Sequence, residues 1–195
     1  MSVPTISSER TPPTPRWRLW IDGCGGYLLL PGNRWTVGGI DPQSAPDVCV
    51  RADWPRRAGV IDRDGADYFW QSESSTDVSD TTRQLIISTQ VIPISGSAQM
   101  TLDCPSPLSS SATLSLRGQH RFDGHVDSVI LVNETLLIGP SRDCHIRSID
   151  FPDRAVLVCR AGRWQAKIDT QSDFHQLVPG KRITLQSLAM TLEEA

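Results

Sequence analysis

Residues 120–127 hold the densest group of side chains that could bind a metal ion. The stretch reads His-Arg-Phe-Asp-Gly-His-Val-Asp, and imidazole nitrogens and carboxylate oxygens are common ligands of zinc. It also contains Asp123-Gly124, a dipeptide typical of turns. Histidines that flank an exposed turn are usually ordinary residues of a polar loop. We therefore interpret the stretch as a loop between two strands and expect no metal site there.

The other reactive side chains form no catalytic pattern. Gly23-Cys24-Gly25-Gly26 is rich in glycine but opens no helix, so it predicts a turn between strands rather than a phosphate loop. The chain contains no nucleophile elbow and no paired metal motif. An odd number of cysteines without regular spacing argues against a disulfide framework: Cys24, Cys49, Cys104, Cys144 and Cys159. We expect buried thiols, no catalytic residue and no cofactor, which means a protein that is not an enzyme.

Composition excludes several broad classes of function. The 195 residues are 38% hydrophobic and 21% charged, with a formal net charge of −3. General binding of nucleic acid or of acidic membranes would favour a basic excess, so we expect neither. No run of about eighteen apolar residues is present, and the polar, proline-rich residues 1–15 do not resemble a signal peptide. The expected compartment is the cytoplasm.

The most informative feature is an internal repeat. Residues 53–65 read DWPRRAGVIDRDG, and residues 150–162 read DFPDRAVLVCRAG. Asp, an aromatic residue, Pro, Arg-Ala, two aliphatic residues, Arg and Gly occur in the same order in both. Two shorter matches flank this pair in the same order: Trp35-Thr36-Val37-Gly38 with Leu136-Leu137-Ile138-Gly139, and Met100-Thr101-Leu102 with Met190-Thr191-Leu192. Three matches in one order predict two copies of one structural unit.

The repeat sets the expected domain boundaries. Residues 1–15 form a tail rich in Ser, Thr and Pro that cannot bury enough apolar surface to fold. The first unit covers residues 16–103 and the second covers residues 112–195. Residues 104–111, which read CPSPLSSS, are a linker by composition.

Local patterns indicate β-structure in both units. Residues 155–159 are an apolar run of strand length, and Arg160-Ala161-Gly162 can form a turn before Trp164, Ala166 and Ile168 alternate with polar residues. The first unit repeats this arrangement around Asp64-Gly65, a strong hairpin dipeptide. No segment shows a helical stripe. Further strands are expected at residues 18–21, 27–30, 35–37, 84–88, 91–94, 113–116, 129–132, 136–138 and 182–185, and most of the six tryptophans are expected in the core.

Both units resemble the forkhead-associated domain, in which a strand ends in Ile-Gly, a polar loop leads to a short strand, and a buried strand then opens a glycine-containing hairpin. The second unit matches through Leu137-Ile138-Gly139, Asp143-Cys144-His145-Ile146, residues 150–160, the Gly162-Arg163-Trp164 hairpin and residues 177–185. The first unit matches through Val37-Gly38, Asp47-Val48-Cys49-Val50, residues 53–65 and residues 91–94. The resemblance implies an all-β chain of two tandem β-sandwiches. It also implies phosphothreonine-peptide binding and a role in signalling.

The residues that bind phosphothreonine are where this sequence departs from the family pattern. In the family, an Arg follows the Ile-Gly, and the Ser of a Ser-Arg-x-His motif contacts the phosphate. Here Gly38 and Gly139 are followed by Gly and Pro, and the Ser position falls on Arg56 and Asp153. A carboxylate at Asp153 would repel a dianion rather than donate a hydrogen bond to it.

Two interpretations of the remaining arginines stay open. Arg57 and Arg154 keep the arginine of the motif, and Arg154 with Ser141 and Arg142 could form a rebuilt anion site, because planar guanidinium groups bind phosphate in a bidentate manner. Alternatively, Arg142 and Arg154 are solvated loop residues, or Arg154 pairs with Asp150 or Asp153. In the first unit, Arg56 and Arg57 could form the equivalent loop, and an exposed surface explains them equally well.

Two functions are compatible with the sequence. The leading hypothesis is a non-catalytic protein–protein interaction protein in which phosphothreonine binding is degenerate or lost, with a protein or peptide partner, phosphorylated or not. The alternative is a structural or assembly subunit whose units pack against each other or against a larger complex. The sequence leaves the oligomeric state open.

Overall fold

The structure is a computed structural model, and it describes residues 15–73 and 83–195. Within these ranges the chain is all-β, with eighteen strands and no helix. The strands of the first unit are β1 (Trp17–Ile21), β2 (Gly25–Pro31), β3 (Arg34–Gly39), β4 (Val48–Arg51), β5 (Gly59–Asp64), β6 (Asp67–Ser72), β7 (Gln84–Leu85) and β8 (Gln99–Asp103). Those of the second are β9 (Ala112–Arg117), β10 (Arg121–Phe122), β11 (Ser128–Val132), β12 (Thr135–Gly139), β13 (Ile146–Arg147), β14 (Ala155–Arg160), β15 (Arg163–Ile168), β16 (His175–Leu177), β17 (Arg182–Leu185) and β18 (Leu188–Glu194).

Most of the strands expected from local pattern are confirmed, and two are not. Residues 84–88 contribute only Gln84–Leu85. Residues 91–94 contribute only an isolated bridge from Val91 to Thr101, because Pro93 has no N–H with which to continue a ladder. Strands β8 and β18, which contain the repeated Met-Thr-Leu triplets, lie outside the strands that local pattern predicts.

Both hairpins have two-residue turns, but the turn of the first unit lies one position later in the repeat than the turn of the second unit. In the second unit, Ala161 and Gly162 form the turn with φ angles of 49° and 73°, as the type I′ geometry of a tight hairpin requires. In the first unit, Asp64 pairs with Asp67, so the turn residues are Gly65 and Ala66 rather than the expected Asp64-Gly65.

One large sheet contains strands from both sequence units. This seven-stranded central sheet has the order β17-β18-β1-β2-β11-β9-β8. At its middle β2 and β11 run parallel, with Tyr27 opposite Ser128 and Pro31 opposite Val132. The first strand of each unit pairs with the last strand of the other: β1 with β18, and β9 with β8. The chain therefore exchanges strands between its two repeats.

Two outer sheets cover opposite faces of the central sheet. The six-stranded outer sheet has the order β10-β4-β3-β5-β6-β7, and the five-stranded outer sheet has the order β13-β12-β14-β15-β16. Alternate residues of β2 point to opposite cores, as the period of a strand dictates. Tyr27 and Leu29 belong to the core under the five-stranded sheet, and Leu28 and Leu30 belong to the core under the six-stranded sheet. The middle of the central sheet, at β2 and β11, is thus apolar on both faces.

Each hydrophobic core is built from both sequence units. The core under the five-stranded sheet combines Trp164 of the second unit with Trp17 of the first. The other core combines Trp35, stacked on Tyr68 at 6.2 Å, with Leu114 and Leu131 of the second unit. Five of the six tryptophans are buried, as expected, and Trp20 is half-buried. The units at 16–103 and 112–195 therefore describe the repeat in the sequence, but they do not coincide with the two cores.

Because both cores share the central sheet, we expect the chain to unfold in one cooperative transition. Leu29 is fully buried, and Leu29→Ala should cost about 2–5 kcal/mol of unfolding free energy through lost burial and a residual cavity. Hydrogen exchange should show equal loss of amide protection in β5 and β14, which lie in different outer sheets. Ile87→Ala is the control: Ile87 is 62% exposed, so the change should stay within about 0.5 kcal/mol. Two separable transitions would contradict the shared-sheet interpretation.

Candidate functional site

The loops that hold Ser141, Arg142 and Arg154 meet at one end of the five-stranded sheet. Strand β12 ends at Gly139 and its antiparallel neighbour β14 begins at Ala155, which pairs with Ile138. Loop residues after Gly139 and before Ala155 therefore lie side by side. The approach is close: a Cβ added at Gly139 would lie 2.9 Å from the Asp153 carbonyl oxygen. Glycine at this position allows the two loops to pack together.

Arg154 is held by two carboxylates. Its Nη1 donates to Asp143 Oδ2 at 3.1 Å, and its Nη2 and Nε donate to Asp169 Oδ2 at 2.9 and 3.2 Å. The side chain is 37% exposed. Hydrogen bonding to Asp169 and the charges of both carboxylates raise the pKa of Arg154. The expected pairing with Asp150 or Asp153 is wrong: the partners come from the loop after β12 and from the end of β15.

The structure places Ser141 and Arg154 against the same carboxylate, Asp143, and places Arg142 in the lining of a groove. The Ser141 hydroxyl lies beside Asp143, and its interaction with that carboxyl, together with the charge of Arg154, lowers the pKa of Asp143. Arg142 is exposed and lines a different groove, next to Arg147. Around Arg154 one cation faces two carboxylates, which leaves a net charge of −1. Such a site disfavours a phosphate dianion.

In the equivalent loop of the first unit, the backbone packs against the end of β3 and the arginine side chains face solvent. A Cβ added at Gly38 would lie 2.0 Å from the Arg56 carbonyl oxygen. The Pro55 carbonyl oxygen accepts a hydrogen bond from the Gly39 N–H at 2.8 Å. The Arg56 and Arg57 side chains are exposed. Neither forms an ion pair within residues 15–73 and 83–195. The segment positions β3, and its arginines are a solvated surface.

The two carboxylates of residues 120–127 have structural partners. Asp123 pairs with Arg51 at 2.8 Å, and Asp127 accepts a hydrogen bond from the Gly26 N–H at 2.9 Å. His120 and His125 line a shallow polar pocket. In the part of the chain that the structure describes, no group of three or more His, Cys, Asp or Glu could hold a metal ion.

The cysteines carry no disulfide, and their environments keep most of the thiols protonated. Burial raises the pKa of Cys104 to about 11. Burial also raises the pKa of Cys49, Cys144 and Cys159. Because the thiolate rather than the thiol is the nucleophile, these side chains behave as small core residues at neutral pH.

His145 is a buried polar residue whose role local pattern does not reveal. It is 5% exposed; its Nδ1 accepts the Leu137 N–H at 3.0 Å, and its Nε2 lies 3.2 Å from the Ser111 carbonyl oxygen. An acceptor at Nδ1 and a donor at Nε2 define the neutral tautomer. Burial lowers the pKa of His145. The side chain therefore ties the linker to β12.

Asp47 has the same place in the first unit that His145 has in the second. Its carboxylate accepts the Thr36 N–H at 2.8 Å, just as His145 accepts the Leu137 N–H. Both residues directly precede the short strand that pairs in parallel with β3 or β12. The repeat therefore extends beyond sequence to the geometry of this loop, and a polar residue one position before a short strand is the signal that could have identified it.

No family model, no curated protein and no solved structure matches the chain in comparisons with known proteins. The resemblance to forkhead-associated domains stays a prediction. No helix in the described residues has the length and apolar character to cross a membrane.

We expect the stability of the protein to fall as the pH drops below about 6.5, with His145 as one cause. Its pKa is lowered from 6.5 in the folded chain, so the unfolded chain binds the proton more readily. As the pH falls, proton binding therefore stabilises the unfolded chain relative to the folded chain. Protonating Nδ1 would also place an N–H against the Leu137 N–H. Urea unfolding at pH 7.5 and pH 5 measures this loss.

His145→Gln keeps an acceptor and a donor but does not titrate, so it is the comparison for this pH dependence. The variant should lose less stability than the wild type between the two pH values. Equal losses in the two proteins would show that His145 does not contribute.

Proposed function

We propose that this chain is a rigid, non-catalytic protein-interaction module of two forkhead-associated-like units that no longer recognise phosphothreonine. The observation that carries the proposal is the arrangement around Arg154. The single arginine that the second unit shares with the family motif pairs with Asp143 and Asp169, and the hydroxyl singled out from the sequence, Ser141, interacts with Asp143 and lowers the pKa of that carboxyl.

Electrostatics support the loss of phosphate recognition. An incoming phosphate would have to displace two carboxylates from Arg154 and would meet both at close range. Charge-assisted bidentate bonds to carboxylate and to phosphate are of comparable kind, so the exchange gains little and adds like-charge repulsion. The Arg154 guanidinium instead joins the loop that precedes β14 to Asp143, which follows β12, and to Asp169, which follows β15.

The chemistry of the described side chains favours binding over catalysis. Both ring nitrogens of His145 are engaged with backbone groups, and the Cys144 thiol beside it has a raised pKa. Neither is arranged as a base next to a nucleophile, which is the arrangement that acyl or phosphoryl transfer by a side chain needs.

A second candidate function is a structural subunit of a larger assembly, and the shared central sheet favours it. Strand exchange joins both repeats into one body, and large apolar side chains remain on its surface: Ile40, Leu85, Ile87, Leu108, Ile149, Phe174 and Val178. Isolated exposed apolar residues are normal, so the discriminating measurement is oligomeric state. A concentration-independent oligomer in light scattering supports assembly, and a monomer supports the interaction module.

We expect the wild-type protein to bind phosphothreonine peptides no better than their unphosphorylated counterparts. Asp143→Asn with Asp169→Asn should release the Arg154 guanidinium and increase binding of inorganic phosphate, by about tenfold if one charge-assisted contact is gained. Calorimetric titration with phosphate and with paired peptides measures both effects.

Asp62→Asn is the matched control, because it removes a carboxylate from an exposed ion pair with Arg34 far from the loop. It should leave phosphate binding unchanged. A wild-type preference for phosphopeptides that Arg154→Gln abolishes would overturn the proposed function.

A further inference from the structure

The same sheet edge is covered by a further strand in the first repeat, but in the second repeat no strand of the described chain covers it. Strands β4 and β13 are the outermost parallel strands of the two repeats, with Val48 opposite Val37 and Ile146 opposite Ile138. In the first repeat, β10 covers this edge by pairing antiparallel with β4. In the five-stranded sheet, β13 is the terminal strand, and no strand of the described chain lies beyond it.

The covering strand comes from a loop that only one repeat possesses. Strand β10 lies in the long connection between β9 and β11. The corresponding connection between β1 and β2 consists of residues 22–24 and contains no strand. The difference in loop length therefore leaves the β13 edge without an internal partner.

The backbone of β13 is oriented to accept a further strand. The Ser148 N–H donates to the Gly139 carbonyl at 2.9 Å, so the backbone groups of Arg147 face away from β12, because alternate residues of a strand bond to opposite sides. In the first repeat, the residue that corresponds to Arg147 makes a backbone hydrogen bond to the residue that follows the covering strand. Cys49, the counterpart of Arg147, accepts the N–H of Asp123 at 2.8 Å through its carbonyl.

A groove of about 290 Å³ adjoins this edge. Its floor is formed by short hydroxyl side chains of the central sheet, Thr113, Ser115 and Ser128. In the first repeat, β1 carries Arg18 and Trp20 at the places of Thr113 and Ser115, and the Trp20 ring packs against Gly26. Large side chains fill the space in one repeat, and small ones leave it open in the other.

The charge of the groove indicates what could occupy it. Arg142 and Arg147 both line it and are exposed, and neither forms an ion pair within the described ranges. Asp103, also in the lining, accepts from the Ser88 hydroxyl at 2.6 Å. Ile149, which follows the strand, is 82% exposed. A second copy of the chain would place like-charged arginines against each other, which disfavours self-pairing.

We propose that the β13 edge is a docking site for an extended acidic segment of a partner protein, which adds antiparallel to Ile146–Arg147 as β10 adds to β4. Main-chain hydrogen bonds to the edge provide affinity, and acidic side chains facing Arg142 and Arg147 provide specificity. An apolar side chain of the segment covers Ile149. The inference rests on the proposed function and names the chemistry of its partner.

The test uses the full chain and a fluorescent peptide of alternating Val and Glu as the probe, with fluorescence anisotropy as the measurement. We expect saturable binding, with new hydrogen-exchange protection at the amides of Arg147 and Ile149, while the amide of Ser148 is already bonded to Gly139. Arg142→Glu with Arg147→Glu should weaken binding by about tenfold or more. Arg56→Glu with Arg57→Glu is the matched control, since it reverses two exposed arginines on the other repeat and should leave binding unchanged.

A second probe separates strand addition from simple charge attraction. The same peptide with N-methyl groups on alternate residues keeps its charge but loses donors, so it should bind at least about tenfold more weakly. Absence of binding, equal binding of the methylated peptide, or protection away from residues 147–149 would overturn the docking site. Dimerisation in light scattering that the same charge reversal enhances would assign the edge to a second copy and also overturn it. Phosphate-dependent binding through Arg154 would instead overturn the proposed function and leave the edge untouched.

Discussion

The parallel pairing of β2 with β11 is the interaction on which the rest of the structure depends. These two strands lie at the centre of the seven-stranded sheet and are covered on both faces. Buried backbone groups must be hydrogen-bonded, and here the bonds run between strands that begin 103 positions apart, from Gly25 to Ser128. Neither outer sheet could bury its apolar face without this central layer, so both cores depend on the same pair of strands.

Strand exchange explains why two small repeats form one body. A sandwich of about eighty residues has little apolar surface to bury. Because the first strand of each repeat pairs with the last strand of the other, the middle of the central sheet is apolar on both faces, and a single layer supports two cores. The exchange also leaves the loops that carry Arg57 and Arg154 on different outer sheets, where they are shaped separately.

Those loops share their backbone geometry in the two repeats but differ in their charges. Gly38 and Gly139 still receive the carbonyl groups of Arg56 and Asp153 at close range, so the geometry of the turn is retained in both repeats. The charged contacts differ between the two loops. Arg154 pairs with two carboxylates, whereas Arg57 faces solvent. The open edge at β13 arises from a different cause, the absence of a long loop between β1 and β2, and it gives the second repeat a surface that the first repeat has covered.

The sequence by itself determined the all-β class, the hairpin after β14 and most strands. Each of these depends on local patterns: alternation, turn residues and a matching order of Asp, aromatic, Pro and Arg-Ala. Only the tertiary structure decided which strands pair across the chain, because the edges of β1 and β9 offer the same hydrogen bonds to β8 and to β18. It also decided that Arg154 meets Asp143 and Asp169 rather than Asp150 or Asp153, since neighbours in space come from three separate loops whose convergence no local pattern encodes.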